Sequence, residues 1–257
     1  MSRKHLSTAR IAAIVGVHPN TVRLYEHLGY LSTIPRSPSG YRLFTEYHLE
    51  QMKLAWIALK FPYPGGKAPV EELVRKAAAG ELGVALELAY HYLDQVRAEI
   101  ARADSAIVYL ERWANGNPVD RVPAGKSQNG LSIGQVAEYL GTTRDSLRNW
   151  ERNGLINVPR NPGNGYRIYT GLEIGRLRVI RMLTRVGYSQ MAILRMVTRL
   201  DQGEINGLRQ ALDITPDDED IYYITDRWMS TLKAQEQRAL GVIEQVEFMI
   251  QKFENRV

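Results

Sequence analysis

The sequence predicts a mainly α protein: two winged helix-turn-helix domains, each followed by a long coiled-coil helix, with small β-hairpin wings. Three observations predict it. A forty-residue block occurs twice, at an offset of 125. Each copy reads as a helix, a Gly-containing turn, a second helix and a Pro/Gly-rich bend. After each copy, apolar residues alternate at spacings of four and three. The 257 residues suit two domains of ~100–200 residues. With 44% hydrophobic and 24% charged residues, the composition is globular rather than disordered.

The first copy is LSTARIAAIVGVHPNTVRLYEHLGYLSTIPRSPSGYRLFT, Leu6 to Thr45; the second is LSIGQVAEYLGTTRDSLRNWERNGLINVPRNPGNGYRIYT, Leu131 to Thr170. Ser7 and Ser132 stand where an N-cap belongs, before short amphipathic turns. Gly16 and Gly141 end those turns, since a glycine enters the left-handed region without penalty. A second helix follows, over Pro19–Leu28 and Arg144–Asn153. Pro19 suits a first helical position, where its missing N–H would be unpaired anyway. In a helix-turn-helix this second helix enters the DNA major groove. Segments Tyr30–Phe44 and Leu155–Tyr169 have strand character around PRSPSG and PRNPGNG, which predicts a hairpin wing. On it Arg36, Arg42, Arg160 and Arg167 can reach phosphates, and Tyr41 and Tyr166 can pack or donate. Thr45 and Thr170 then cap helices over 46–60 and 171–186. A further helix is expected near 189–200 in the second copy, while FPYPGGKAP marks a looser connection in the first.

The domains are therefore 1–80 and 131–212, with long helices over 81–114 and 213–257 and a linker over 115–130. The first long helix carries Leu82, Leu86, Ala89, Leu93, Val96, Ile100, Ala103, Ile107 and Leu110 in heptad spacing. The second carries Ile221, Thr225, Trp228, Leu232, Gln235, Ala239, Val242, Val246, Met249 and Phe253, and Thr215-Pro216-Asp217-Asp218-Glu219 suits its start. The linker NGNPVDRVPAGKSQNG could span roughly 50 Å at ~3.3 Å per residue. It would let the two helices pair antiparallel within one chain, with Leu82 facing Phe253. Pairing between chains, with four modules per dimer, is the alternative.

Charge follows the repeats. The net charge of +5 divides into +5 for residues 1–60, −1 for 61–130, +7 for 131–200 and −6 for 201–257. Two basic blocks on one chain suit a polyanion touched at two places. The chain has no Cys, which excludes disulfides, thiolate metal sites and Cys nucleophiles. It has no apolar run of ~18 residues and no signal-peptide pattern at its start. No catalytic motif is present, so an enzyme is not expected. Four of the five His lie in the first module without paired carboxylates, so no metal and no cofactor is expected.

The ordered set NTVRLYEHLGYL and PRSPSGYRLFT, matched by DSLRNWERNGLI and PRNPGNGYRIYT, resembles the DNA-binding domain of the MerR family of bacterial transcription regulators. The two resembling modules cover about 140 residues of the chain. The resemblance implies that Arg23, Tyr25, Arg36, Tyr41 and Arg42 face DNA in the first copy, and Arg148, Trp150, Arg160, Tyr166 and Arg167 in the second. It implies that His18, Asn20 and Thr21, with Arg144, Ser146 and Asn149, read sequence. Trp150 stands where the family has Tyr, which puts a hydroxyl contact to phosphate in doubt there.

The family's dimers imply a single-chain pseudo-dimer here, monomeric rather than a homodimer. It would bind a pseudo-palindromic promoter site in double-stranded DNA and distort it for RNA polymerase. A cytoplasmic, nucleoid-associated protein with no membrane contact is expected. The alternative is an architectural or recombination-associated DNA-bending protein. With the sequence ending at Val257, a separate effector domain is not expected. Any small-molecule effector would meet an aromatic group of Tyr109, Trp113, Tyr222, Tyr223 and Trp228 at one end of the coiled coil, for which an aromatic plug is the plainer reading.

Overall fold

The computed structural model describes residues 5–60, 63, 66–116, 130–204, 206–213 and 227–254. The described residues form eleven helices and no strand longer than an isolated bridge. The expected opening of the second long helix at Thr215–Glu219, its heptad positions Ile221 and Thr225, and most of the linker lie outside them, as do Tyr222 and Tyr223.

The chain divides into two compact units. Unit 1 comprises residues 1–98 and 232–257, and unit 2 comprises residues 99–231. In unit 1, α1 (Thr8–Val15) begins at Ser7, whose hydroxyl accepts from the Arg10 N–H at 3.2 Å. It ends at Gly16, with φ +74°. Then come α2 (Pro19–His27), α3 (Glu46–Ala58) and α4 (Ala68–Ala78). The first half of α5 (Leu82–Ala114) and most of α11 (Trp228–Phe253) complete the unit. Ile11, Val22, Phe44, Met52 and Leu73 form the core between these helices.

Unit 2 repeats the plan with α6 (Ile133–Leu140), α7 (Arg144–Arg152), α8 (Gly171–Arg185) and α9 (Gln190–Asp201), followed by the short α10 (Leu208–Ala211). The second half of α5 belongs to it. Val136, Leu147, Leu155, Ile180 and Ile193 are its core. Neither α4 nor α10 is expected from the sequence. Pro62, Pro64 and Pro69 around its start obscure α4, and one turn of helix is too short to show a period.

Within unit 1, α11 runs antiparallel to the first half of α5. Tyr90 donates to Glu247 at 3.1 Å and Arg97 to Glu236 at 2.8 Å, so partner numbers fall as chain numbers rise. The seam carries Leu82, Ala89, Leu93 and Val96 against Ala239, Val242, Val246 and Met249, all buried. Gln235 is the one polar residue buried among them in α11, and its amide donates to the Tyr92 hydroxyl. It also accepts from Arg238 at 2.7 Å, so its polar atoms are satisfied rather than stranded.

The expected hairpins are shorter than strands. Each is tied by one antiparallel bridge, Arg36 with Arg42 and Arg160 with Arg167. A second bridge ties the chain before each first helix to the end of its hairpin, Leu6 with Phe44 and Leu131 with Tyr169. Pro35, Pro38, Pro159 and Pro162 supply no N–H, so no ladder can extend through these segments.

Candidate nucleic-acid interface

In each unit the second helix and the hairpin are fastened by one carboxylate. Glu26, near the end of α2, accepts from Arg36 at 3.0 Å and Arg42 at 2.5 Å. In unit 2, Glu151 pairs with Arg167 at 2.6 Å and lies 3.9 Å from Arg160. The four hairpin arginines expected to reach phosphates are thus held in place by an internal acid. One carboxylate between two guanidiniums orients both forks and leaves their remaining N–H groups for another acceptor. Glu26 and Glu151 match between the copies, and that match was the signal for a role the sequence reading did not assign.

The hairpin tips are alike. Ser37 donates its N–H to the Tyr41 carbonyl at 2.8 Å, and Asn161 does the same to Tyr166 at 2.8 Å. Tyr41 and Tyr166, each 74% exposed, stand at these tips. In unit 1, Arg23, Tyr41 and Arg42 line one hollow of about 510 Å³ with Ser7 and Thr8, at the N-terminus of α1. Cationic side chains beside the open N–H groups of a helix start make a seat suited to an anionic oxygen.

The expected sequence readers cluster at the starts of α2 and α7. His18 caps α2 through Nδ1, which accepts from the Asn20 N–H at 3.2 Å. Asn20 Oδ1 accepts from Arg23 at 2.9 Å, and Thr21 is half-buried. In unit 2 the cap is Thr143, which the sequence reading did not single out. Its Oγ1 accepts from the Ser146 N–H at 3.0 Å and lies 2.8 Å from the Ser146 hydroxyl. Arg144 lies over Gly134, where a Cβ would come within 2.9 Å of its guanidinium. Arg148 pairs with Asp145 at 3.1 Å, and Asn149 is half-buried.

Tyr25 and Trp150, expected to face DNA, pack most of their rings into their own units. They are 9% and 5% exposed. The Tyr25 ring meets Tyr30 edge-on with centroids 5.5 Å apart, and its burial, with a contribution from Tyr63, raises its phenol pKa. At 3.6 residues per turn, position 25 falls on the same face as the fully buried Val22, and Trp150 on that of Leu147.

Of the aromatic residues expected to meet an effector, the described ones are Tyr109, Trp113 and Trp228. Trp113 lies with Nε1 against Gly175, and Trp228 lies against Gly187. Trp113 also borders a cavity of about 600 Å³ with Ile156, Leu172, Arg176 and Asp201. Tyr109 is half-buried. Among the described residues no cluster of His, Asp or Glu could hold a metal ion, and no helix is long and apolar enough to cross a membrane.

Comparisons with known proteins match the same two stretches. Residues 7–44 match the model of the MerR family regulatory protein, and residues 131–200 that of the MerR HTH family regulatory protein. The chain is 34% identical over 59 residues to the HTH-type transcriptional regulator CueR of Escherichia coli O6:H1, covering 23% of this chain and 44% of that protein. It is 37% identical over 59 residues to CueR of Vibrio cholerae, covering 23% of this chain and 42% of that one. To the mercuric resistance operon regulatory protein of Bacillus cereus it is 33% identical over 57 residues, covering 22% and 43%. The match thus spans less than half the length of these relatives. No solved structure matches the chain.

Proposed function

Since this one chain carries two MerR-family domains, we propose that it is a sequence-specific DNA-binding transcription regulator that acts as a single-chain pseudo-dimer. The observation that carries the proposal is the doubled geometry. Each unit presents a recognition helix and a hairpin wing locked together by one glutamate, Glu26 or Glu151, with arginines and an exposed tyrosine on the outer side. A helix-turn-helix of this kind places its second helix in the major groove while the wing holds phosphates. Two such modules in one chain suit a site of two half-sites.

The seam of α5 and α11 supports the single-chain reading. Family dimers join their modules by an antiparallel coiled coil. Here α11, which follows the second module, pairs with the start of α5, which follows the first. Apolar positions that a homodimer would bury against a second copy are filled from within. On this reading the duplex is bent and untwisted at a promoter, so that RNA polymerase can engage both elements of an over-long spacer. The relatives named as regulators point the same way.

The test is selection of bound fragments from a random duplex pool with the purified full chain, with the mass of the best complex measured by light scattering. An imperfect inverted repeat occupied by one chain is expected. Its affinity should fall steeply with salt, because phosphates neutralised by Lys and Arg release counterions. Four half-sites holding two chains would overturn the single-chain pseudo-dimer. No enriched motif would overturn the regulator and favour an architectural DNA-bending protein.

A further inference from the structure

We propose that the two recognition helices demand different bases at one matching position of their half-sites: adenine opposite Asn20, and cytosine opposite Asp145. The inference rests on the DNA-binding reading above and adds the residues that would make the half-sites unequal.

The repeat offset places Asn20 and Asp145 at the same position, second in the nine-residue helices α2 and α7. Each accepts a hydrogen bond from the arginine three residues on: Asn20 Oδ1 from Arg23 at 2.9 Å, Asp145 Oδ1 from Arg148 at 3.1 Å. The two side chains therefore make the same contact along their helices. Both residues are exposed, and the Asp145 side chain is 88% so. Only their chemistry differs.

Asparagine keeps an amide N–H₂ to donate and a lone pair to accept, the pattern that matches N7 and the N6 amino group of adenine. An ionised aspartate only accepts. In the major groove it fits the N4 amino group of cytosine and sets lone pair against lone pair at N7 and O6 of guanine.

The residue on the next turn differs too. Leu24 is 50% exposed on the otherwise polar outer face of α2, whereas its counterpart is Asn149. An outward leucine offers methyl groups to a thymine methyl, as an A·T-reading helix would. A carboxylate near two phosphate backbones needs compensating charge, and α7 supplies it. It carries Arg144, Arg148 and Arg152, where α2 has Arg23 alone.

An acid in a helix's first turn also favours the helix dipole. The α2 helix, however, forms without any acid in its first turn.

The experiment repeats the random-pool selection with the full-length wild type, Asp145→Asn and Asn20→Asp, and records thermal unfolding of each. Wild type is expected to give one half-site with adenine and one with cytosine at the matching position. Asp145→Asn should change cytosine to adenine in one half-site only, with about a tenfold or larger change in relative affinity for the two bases. Asn20→Asp should make the opposite change in the other half-site. Unchanged base preferences in both variants, with only the unfolding temperature shifted by Asp145→Asn, would overturn the proposal and leave Asp145 a helix-start acid. That result would leave DNA binding standing, whereas a wild type that enriches no motif removes the reading beneath it.

Discussion

Units 1 and 2 solve the same packing problem with opposite chemistry. In each, the end of a long helix lies against the helix that follows the hairpin. In unit 1 the meeting residue on α3 is Glu50, which is buried. It is 3.5 Å from Lys252 and 3.1 Å from Lys53, and it accepts from Gln245 at 3.0 Å. In unit 2 the matching residue on α8 is Gly175. A Cβ there would stand 2.4 Å from Trp113 Nε1. One unit holds the helix end with charge and hydrogen bonds, the other by removing a side chain so that an indole can lie on backbone.

The neighbouring position makes the same point. Gln51 Nε2 donates to the Ala77 and Ala78 carbonyls at 3.3 and 3.4 Å, closing the end of α4. Its counterpart Arg176 reaches Asp201 at the end of α9 through two bonds of 2.5 and 2.8 Å, and the Leu155 carbonyl at 2.8 Å. Duplicated backbones thus keep a contact while exchanging the atoms that make it. Which residue is interchangeable depends on its partner from elsewhere in the chain.

Gly175→Ala should break that comparison most strongly. The indole seat cannot admit a methyl group without moving Trp113, and overpacking of this kind costs about 1–3 kcal/mol. Urea unfolding of the full chain, followed by tryptophan emission, measures it. Adding Trp113→Leu should return part of the loss, as residues in direct contact couple in a double-mutant cycle. An Ala variant as stable as the parent would mean that the seat is loose.

A smaller loss, about 1–2 kcal/mol, is expected for Glu50→Gln, which keeps the shape and removes the ionic part of the contact. Lys252 retains Glu46 at 2.6 Å, which limits the damage. Hydrogen exchange should locate the loss in α3 and α11 and leave α8 unchanged.

The smallest effect concerns acid. Thr45 caps α3 in a box with His48, whose Nδ1 accepts from the Thr45 N–H at 2.9 Å. The matching box in unit 2 uses Glu173, which accepts from the Thr170 N–H at 2.8 Å. Burial lowers the His48 pKa below its ordinary 6.5, against the opposing pull of the Thr33 carbonyl and Glu26. The unfolded chain therefore binds that proton more readily than the folded one. The stability supplied by neutral His48 is complete above about pH 6.5 and is lost as pH falls below it. His48→Gln keeps an acceptor at this position and should flatten that part of the pH–stability curve.

Much of the fold was legible in the residues, and the reasons are local. Ser7, Ser132, Thr45 and Thr170 cap helices because each side chain reaches an N–H two or three residues on. Gly16 and Gly141 end helices because the left-handed conformation is open to glycine. The site was legible in part. Arginines and tyrosines of the hairpins were visible as a pattern, but Glu26 and Glu151, which hold the arginines, acquire a role only when helix and hairpin meet. The burial of the Tyr25 and Trp150 rings was not legible, because a motif position does not say which way a helix is turned.

By itself the sequence determined the duplication, the caps and glycine stops of the repeated helices, and the doubled basic pattern. Each is set by neighbours a few residues apart, or by a repeat that can be read along the chain. Tertiary structure alone decided which face of α2 and α7 is buried, that one glutamate would serve two arginines, and that Glu50 and Gly175 do equivalent work. Those depend on groups brought together from distant parts of the chain, such as α11 against α3, where charge, volume and hydrogen bonding are settled by the partner rather than by the neighbour in sequence.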